Sequence, residues 1–288
     1  GSFIGEPRQD TAEILHSLMN VTPVTVAYVT ALLGNSSDVC QRPMYCAPVS
    51  PGVYVAVFVV MAAASTLQSS VGMGQGLLSA PLLRLLEPDL LPGPVVLAGF
   101  LTGVVLALRN SRPSDALEVI PALFGRFVGA ALAVALLAAL SDRGLTITIG
   151  VIVLVLVALR LAGLRIPRSR ASLAGAGLVS GISGTIASLG GAPMGLLYEQ
   201  HTRARDFRGP MGAFQAIGGV MSLFLLTVAG QMDADSWLLG LTLVPPLMVG
   251  WVLARWVTPI VDRGLLGPIV LIVSSASAMV LLISELFS

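Results

Sequence analysis

From Val53 onward, apolar runs of roughly 18 to 25 residues are separated by short polar gaps, a rhythm that predicts membrane-spanning helices and not alternating barrel strands. The first run predicts a helix from Val53 to between Thr66 and Ser70, followed by a short helix over Leu77–Leu86. Spans are expected near 92–108, 116–139 and 144–162. The polar stretch GLRIPRSR at 163–170 then opens a second set: 171–186, a short helix over 192–200, and spans at 209–229, 236–256 and 264–286. The chain therefore divides into an N-terminal segment (1–52), a first half (53–162), a basic linker (163–170) and a second half (171–288). In the N-terminal segment Ala12–Gly34 predicts an extra helix whose first half carries Glu13, His16, Asn20 and Pro23. Those residues leave two readings, a crossing or a helix lying in the interface.

The apolar pattern breaks twice, in matching places. Between Ser65 and Leu86, Gly72, Gly74, Gly76 and Pro81 stand among Gln68, Ser69, Ser70, Gln75 and Ser79. The second interruption is SGISGTIASLGGAPMGLLYE. Aligning Gly72 with Gly184, a spacing of 112, also brings Ala80-Pro81 onto Ala192-Pro193 and Glu87 onto Glu199. Asp142-Arg143-Gly144-Leu145 returns 120 residues later as Asp262-Arg263-Gly264-Leu265, and Pro121-xxx-Gly125 returns 125 residues later as Pro246-xxx-Gly250. Phe100-xx-Gly103 is echoed more loosely by Phe214-xxx-Gly218. These echoes predict a duplicated unit, a broken helix hairpin plus three transmembrane helices.

Composition agrees with the pattern. With 55% hydrophobic residues, 11% charged residues and a mean hydropathy of +0.90, an all-α polytopic membrane protein is expected. The net charge is +1 and no basic cluster is interleaved with aromatics, so the lipid bilayer is the expected partner and nucleic acid is not. Arginines concentrate at 109–112, 160–170 and 201–208, whereas 87–91 and 230–236 hold only acidic charges. Positive loops stay cytoplasmic. All three can do so only if 171–200 enters and leaves on one side, and by repeat logic 53–86 does the same from the other side. The halves are then inverted. Cys40 and Cys46 in CQRPMYC lack histidine neighbours for a zinc site; they would close a small disulfide in an oxidising compartment and stay free thiols otherwise. No metal or cofactor is expected.

A glycine-rich break at membrane depth is tolerated only where protein packs it or a wet cavity lines it. Paired breaks in two halves mark a transporter's binding site. Short helices starting at Leu77 and Ala192 would aim N–H groups and a partial positive charge at a small anionic substrate. Gln68, Ser69, Ser70, Gly72, Gly74, Gln75 and Gly76 would line one side, and Ser188, Gly190 and Gly191 the other. The competing reading is tight small-xxx-small helix packing. Arg126, inside a span, is a candidate counter-charge, with snorkelling or pairing to Glu118 as alternatives. Gln215 could donate to the substrate or bond between helices. Asp142 and Asp262 are expected as helix caps. His16 and His201 fall outside the apolar core. The small-residue faces allow a homodimer without requiring one.

The G-x-G-x-G-x4-P pattern at Gly72–Pro81 and S-x-G-G-A-P at 188–193, set in four-element halves over 53–286, resemble the sulfite exporter TauE/SafE family of bacterial membrane permeases. The resemblance implies outward transport of sulfite, sulfoacetate or another organosulfonate across the bacterial inner (plasma) membrane. Met73 and Gln75 replace the richer glycine run such proteins often show, which leaves the substrate open. Two rivals compete. One is an anion channel on the same hairpins. The other is an intramembrane serine protease, suggested by Gly181-Ile-Ser183-Gly184, for which the later membrane helices hold no histidine base.

Overall fold

Where the apolar runs begin and end, the chain forms helices, and in a computed structural model these describe residues 51–163, 166–199, 204–261 and 266–287. The helix expected over Ala12–Gly34, Cys40 and Cys46, His16, His201 and Asp262 lie outside the described residues. All regular structure among the described residues is helical.

The first hairpin is α1 (Pro51–Val71) and α2 (Gln75–Leu86), and α3 (Gly93–Asn110) follows it. A short α4 (Pro113–Glu118) precedes α5 (Ile120–Ala139) and α6 (Asp142–Leu161). The second hairpin is α7 (Arg170–Ala187) and α8 (Gly191–Glu199). Then come α9 (Ala204–Val228), a short α10 (Ala234–Thr242), α11 (Val244–Val261) and α12 (Leu266–Phe287). Among the described residues six stretches are long and apolar enough to cross a bilayer: 52–71, 93–110, 120–139, 142–161, 206–228 and 234–259. The protein is an all-α polytopic membrane protein.

Two of the expected spans are each divided. The 116–139 span is interrupted at Val119, and the 236–256 span at Leu243. Proline is the reason in both. Pro121 and the pair Pro245-Pro246 lack the N–H that would bond the carbonyl four residues back, and their rings crowd that carbonyl, so the ladder is interrupted there and each proline sits in the first turn of the next helix. The helix expected to begin at Leu77 begins at Gln75, which brings Gln75 and Gly76 into the first turn of α2.

Burial runs opposite to that of a water-soluble protein. Phe124, Val155, Phe224, Ile272 and Met279 point outward, whereas Gln68, Gln75, Arg126 and Gln215 are buried. An apolar exterior around polar interior groups is stable when the surrounding solvent is hydrocarbon. The main packings are α1 on α11, α5 on α7, α3 on α9 and α6 on α12. One hydrophobic core runs through α2, α3, α5, α6 and α12. A second, around Met73, Met194, Leu197, Phe207, Met211 and Phe214, lies beneath the breaks.

The far end of the second hairpin is held by a polar clamp. Glu118, expected as a partner for Arg126, instead accepts from Tyr198 Oη at 2.7 Å and forms an ion pair with Arg168. The Arg168 guanidinium also lies 4.5 Å over the Tyr198 ring. Because both ionic side chains are about one-third exposed, solvent screens the pair, and Arg168→Gln should cost no more than about 1 kcal/mol. Tyr198 is 1% exposed, and losing its hydroxyl leaves a charged acceptor short of a donor. Tyr198→Phe should therefore cost about 1–2 kcal/mol in detergent unfolding, the larger of the two effects. The reverse order would mean that the ion pair, and not the phenol, anchors α8.

Candidate functional site at the two helix breaks

Each break is a turn that an ordinary helix cannot contain. In the first, Gly74 has φ 107°, a backbone conformation that glycine adopts without a Cβ clash. In the second, Ser188 takes the left-handed conformation at φ 56° and closes α7, with its N–H bonded to Gly184 O at 2.9 Å and Leu189 N–H to Ser183 O at 3.2 Å. Gln68 straddles the first break: its Oε1 accepts from Gln75 N at 3.2 Å and its Nε2 donates to Gly72 O at 3.4 Å. A side-chain amide thus replaces part of the missing backbone ladder.

The breaks touch. A Cβ on Gly76 would collide with the Ser188 carbonyl, and one on Gly191 would lie 3.1 Å from Met73 Cβ and 2.9 Å from Gln215 Nε2. Arg126 enters from α5 with 4% exposure, and a Cβ on Gly190 would fall 2.7 Å from its Nη1. Its Nη1 donates to Gln215 Oε1 at 2.9 Å, and its guanidinium carbon sits 4.7 Å from the Phe214 ring centre. Gly184 and Gly218 bring bare backbone against the same guanidinium. Arg126 neither snorkels nor meets Glu118. No described carboxylate pairs with it.

Several buried polar atoms have no protein partner: both amide atoms of Gln75, Arg126 Nε, and the hydroxyls of Ser69, Ser79 and Ser180. Native proteins leave few such groups without a reason, and an anion or water would satisfy them. Among the described residues no cluster of acids, histidines and cysteines could hold a metal.

The sequence-derived candidates therefore separate. Gly76, Ser188, Gly190, Gly191, Arg126 and Gln215 gather at the meeting point of the breaks, and Gln68 and Gln75 join across the first break next to Gly76. Gly72 faces Phe207 and Met211, and Gly74 faces Leu67 in its own hairpin. Ser70 turns away, its Oγ 3.5 Å from Ala254 O on α11, while its carbonyl accepts from Arg208 Nε at 2.7 Å. Three residues went unnoticed as neighbours of the site. Phe214 and Gly218 flank the guanidinium, and an added Cβ on Gly99 would strike Ser188 Oγ. Phe214-xxx-Gly218 was visible as a repeat echo, but nothing linear links it to Arg126.

Other expectations change as well. Of the two roles expected for Gln215 the structure shows the bond between helices, with its Oε1 accepting from Arg126. Ser141, whose Oγ accepts from Gly144 N, caps α6, and Asp142 occupies the first turn, where its carbonyl accepts from Arg84. Ser183, the serine of the protease-like motif, donates to Val179 O at 2.8 Å within its own helix.

Neither the curated proteins nor the solved structures yield a match to this chain. The family model of the sulfite exporter TauE/SafE matches residues 57–281, which takes in both hairpins and every helix that meets at the breaks. The chain belongs to the TauE/SafE sulfite exporter family, a family of membrane anion exporters.

Proposed function

We propose that this protein exports a small sulfur-containing anion, such as sulfite, sulfoacetate or another organosulfonate, across a bacterial inner membrane. The anion binds between the two breaks, and one half moves against the other around that fixed site. The observation that carries the reading is the contact of the breaks beside a buried arginine that has no carboxylate partner among the described residues. The guanidinium supplies charge and planar donors, Gln75 supplies an unused amide, and bare backbone allows close approach. Helix packing supports two copies of one inverted unit. Exchanging the halves turns the α1–α11 packing into α7–α5 and leaves α3–α9 and α6–α12 as they are.

Burial of the site residues corresponds to an occluded stage of such a cycle, with opening expected where the halves meet. Flux of radiolabelled sulfite or methanesulfonate from proteoliposomes tests the site. Arg126→Gln should reduce saturable flux at least about a hundredfold, the scale of losing one buried charged partner. Unchanged saturable flux would remove Arg126 from the site, and flux linear in concentration would replace the carrier with a channel.

An anion leaving an inside-negative cell gains about 2.3 kcal/mol per charge per 100 mV, so export can run as a uniport. Imposing an inside-negative potential should accelerate efflux without a stoichiometric pH change. Efflux that requires a proton gradient would exclude uniport.

A further inference from the structure

Two arginines, one from each half of the chain, stand side by side on the outer surface of the helices. We propose that Arg109 of α3 and Arg255 of α11 bind the phosphate of an anionic phospholipid such as phosphatidylglycerol. The pair lies outside the site at the breaks, and the proposal does not depend on the transport reading.

Packing fixes where both residues sit. An added Cβ on Gly103 would lie 2.8 Å from Gln215 Cβ, and one on Gly212 would lie 2.6 Å from Ala107 N, so Gly103 and Ala107 form the face of α3 that packs on α9. Leu108 and Arg109 are left on the outer side, both exposed, Leu108 by 83%. On α11, Ala254 is buried against α1, where its carbonyl accepts from Ser70 Oγ at 3.5 Å, and the next two residues, Arg255 and Trp256, are exposed. The helices α3 and α11 touch, and the two guanidiniums lie close enough to repel one another. Neither has a carboxylate partner among the described residues. Like charges side by side are unfavourable unless an anion lies between them.

The surroundings point to a lipid as the source of that anion. Leu108, Leu253 and Trp256 are exposed on the same two helices, and in a membrane protein such a surface meets lipid, with tryptophan at the headgroup level. Arginine side chains reach headgroups while their stems lie along the hydrocarbon, and basic pockets between membrane helices hold anionic headgroups. A phosphodiester shares its charge over two oxygens, one for each planar guanidinium. Its acyl chains would cover the leucines, which a small soluble anion would leave bare. Because α3 belongs to the first half and α11 to the second, the phosphate would replace repulsion between the halves with a bridge.

Quenching of Trp256 fluorescence by brominated lipids tests this in the full chain reconstituted into phosphatidylcholine vesicles. Trp237→Phe and Trp251→Phe leave Trp256 as the only tryptophan of the sequence. Brominated phosphatidylglycerol should be preferred over brominated phosphatidylcholine at least about fivefold, the scale of one arginine at a membrane surface. Arg109→Gln combined with Arg255→Gln should bring the two lipids to parity, whereas Arg109→Lys with Arg255→Lys should keep the preference. Arg160→Gln, which removes a charge at the end of α6, should keep it too. In neutral detergent without lipid, Arg109→Gln should melt no lower than the unmodified chain, because it removes repulsion. Added phosphatidylglycerol should raise the melting temperature of the unmodified chain and leave that of the double glutamine variant unchanged. These melting shifts decide the proposal if the tryptophan variants do not fold. Equal quenching by the two lipids, or a preference that survives in the double glutamine variant, would overturn it. Displacement of the lipid by inorganic phosphate at millimolar concentration would assign the pair to a soluble anion instead. A preference that emerges only in Asp262→Asn would mean that the chain's own carboxylate holds the pair, and would overturn the proposal as well.

Discussion

Gly76→Ala should lower anion flux by about a hundredfold or more while the protein still folds and inserts. The new Cβ would strike the Ser188 carbonyl oxygen and lie 2.6 Å from its carbon and 2.8 Å from Ala187 O. All three atoms are backbone, so no side chain can rotate out of the way, and the hairpins must separate by several tenths of an ångström. Misplacement on the ångström scale costs an oriented site about two orders of magnitude. Stability should change far less. Overpacking costs about 1–3 kcal/mol, and replacing a helical glycine with alanine returns up to about 1 kcal/mol. Gly175→Ala is the matched control, because nothing lies within 4 Å of its added Cβ on α7. It should leave flux unchanged. Normal flux in Gly76→Ala would mean that the breaks do not touch in the working protein.

Gly181→Val should produce the largest loss of stability, about 3 kcal/mol or more, seen as unfolding in detergent at lower temperature. The α5–α7 packing is a reciprocal set of glycines one turn apart. Gly125 and Gly129 of α5 face the carbonyls of Ala174 and Leu178, while Gly177 and Gly181 of α7 face those of Ala122 and Arg126. In lipid no hydrophobic driving force holds helices together, so this close approach supplies the packing and the weak Cα–H to carbonyl contacts. A valine at 181 would collide with Arg126 O and come within 2.7 Å of Ala130 N. Because Arg126 belongs to that same interface, binding should fall with stability. A Gly181→Val protein of ordinary stability would mean that α5 and α7 do not pack as closely as these glycines allow.

At the sequence level the glycines of the breaks carried two readings, substrate site or small-residue packing, and the structure shows small-residue packing at a different set. Packing occupies Gly125, Gly129, Gly177 and Gly181. At the breaks Gly76 lies against the Ser188 carbonyl, Gly190 against Arg126, and Gly191 against Gln215 and Met73. Linear spacing could not separate the two uses, since both require an absent Cβ. The same limit applies to Glu118, which was within sequence reach of Arg126 yet is taken by Tyr198 and Arg168.

What the sequence determined by itself was the class, the order of helices and the two breaks. Hydropathy and proline or glycine placement act locally, and in lipid every unpaired backbone group is costly, so these features stand in the chain itself. The divisions at Val119 and Leu243 were equally local, written in Pro121 and Pro245-Pro246. Only the tertiary structure decided which polar groups meet: Gln68 bridging its own break, Gln215 accepting from Arg126, and Ser70 turned toward α11. Those outcomes depend on which helix faces which, and rotation of a helix about its axis is set by packing against its neighbours, whose partners lie up to 184 residues apart along the chain.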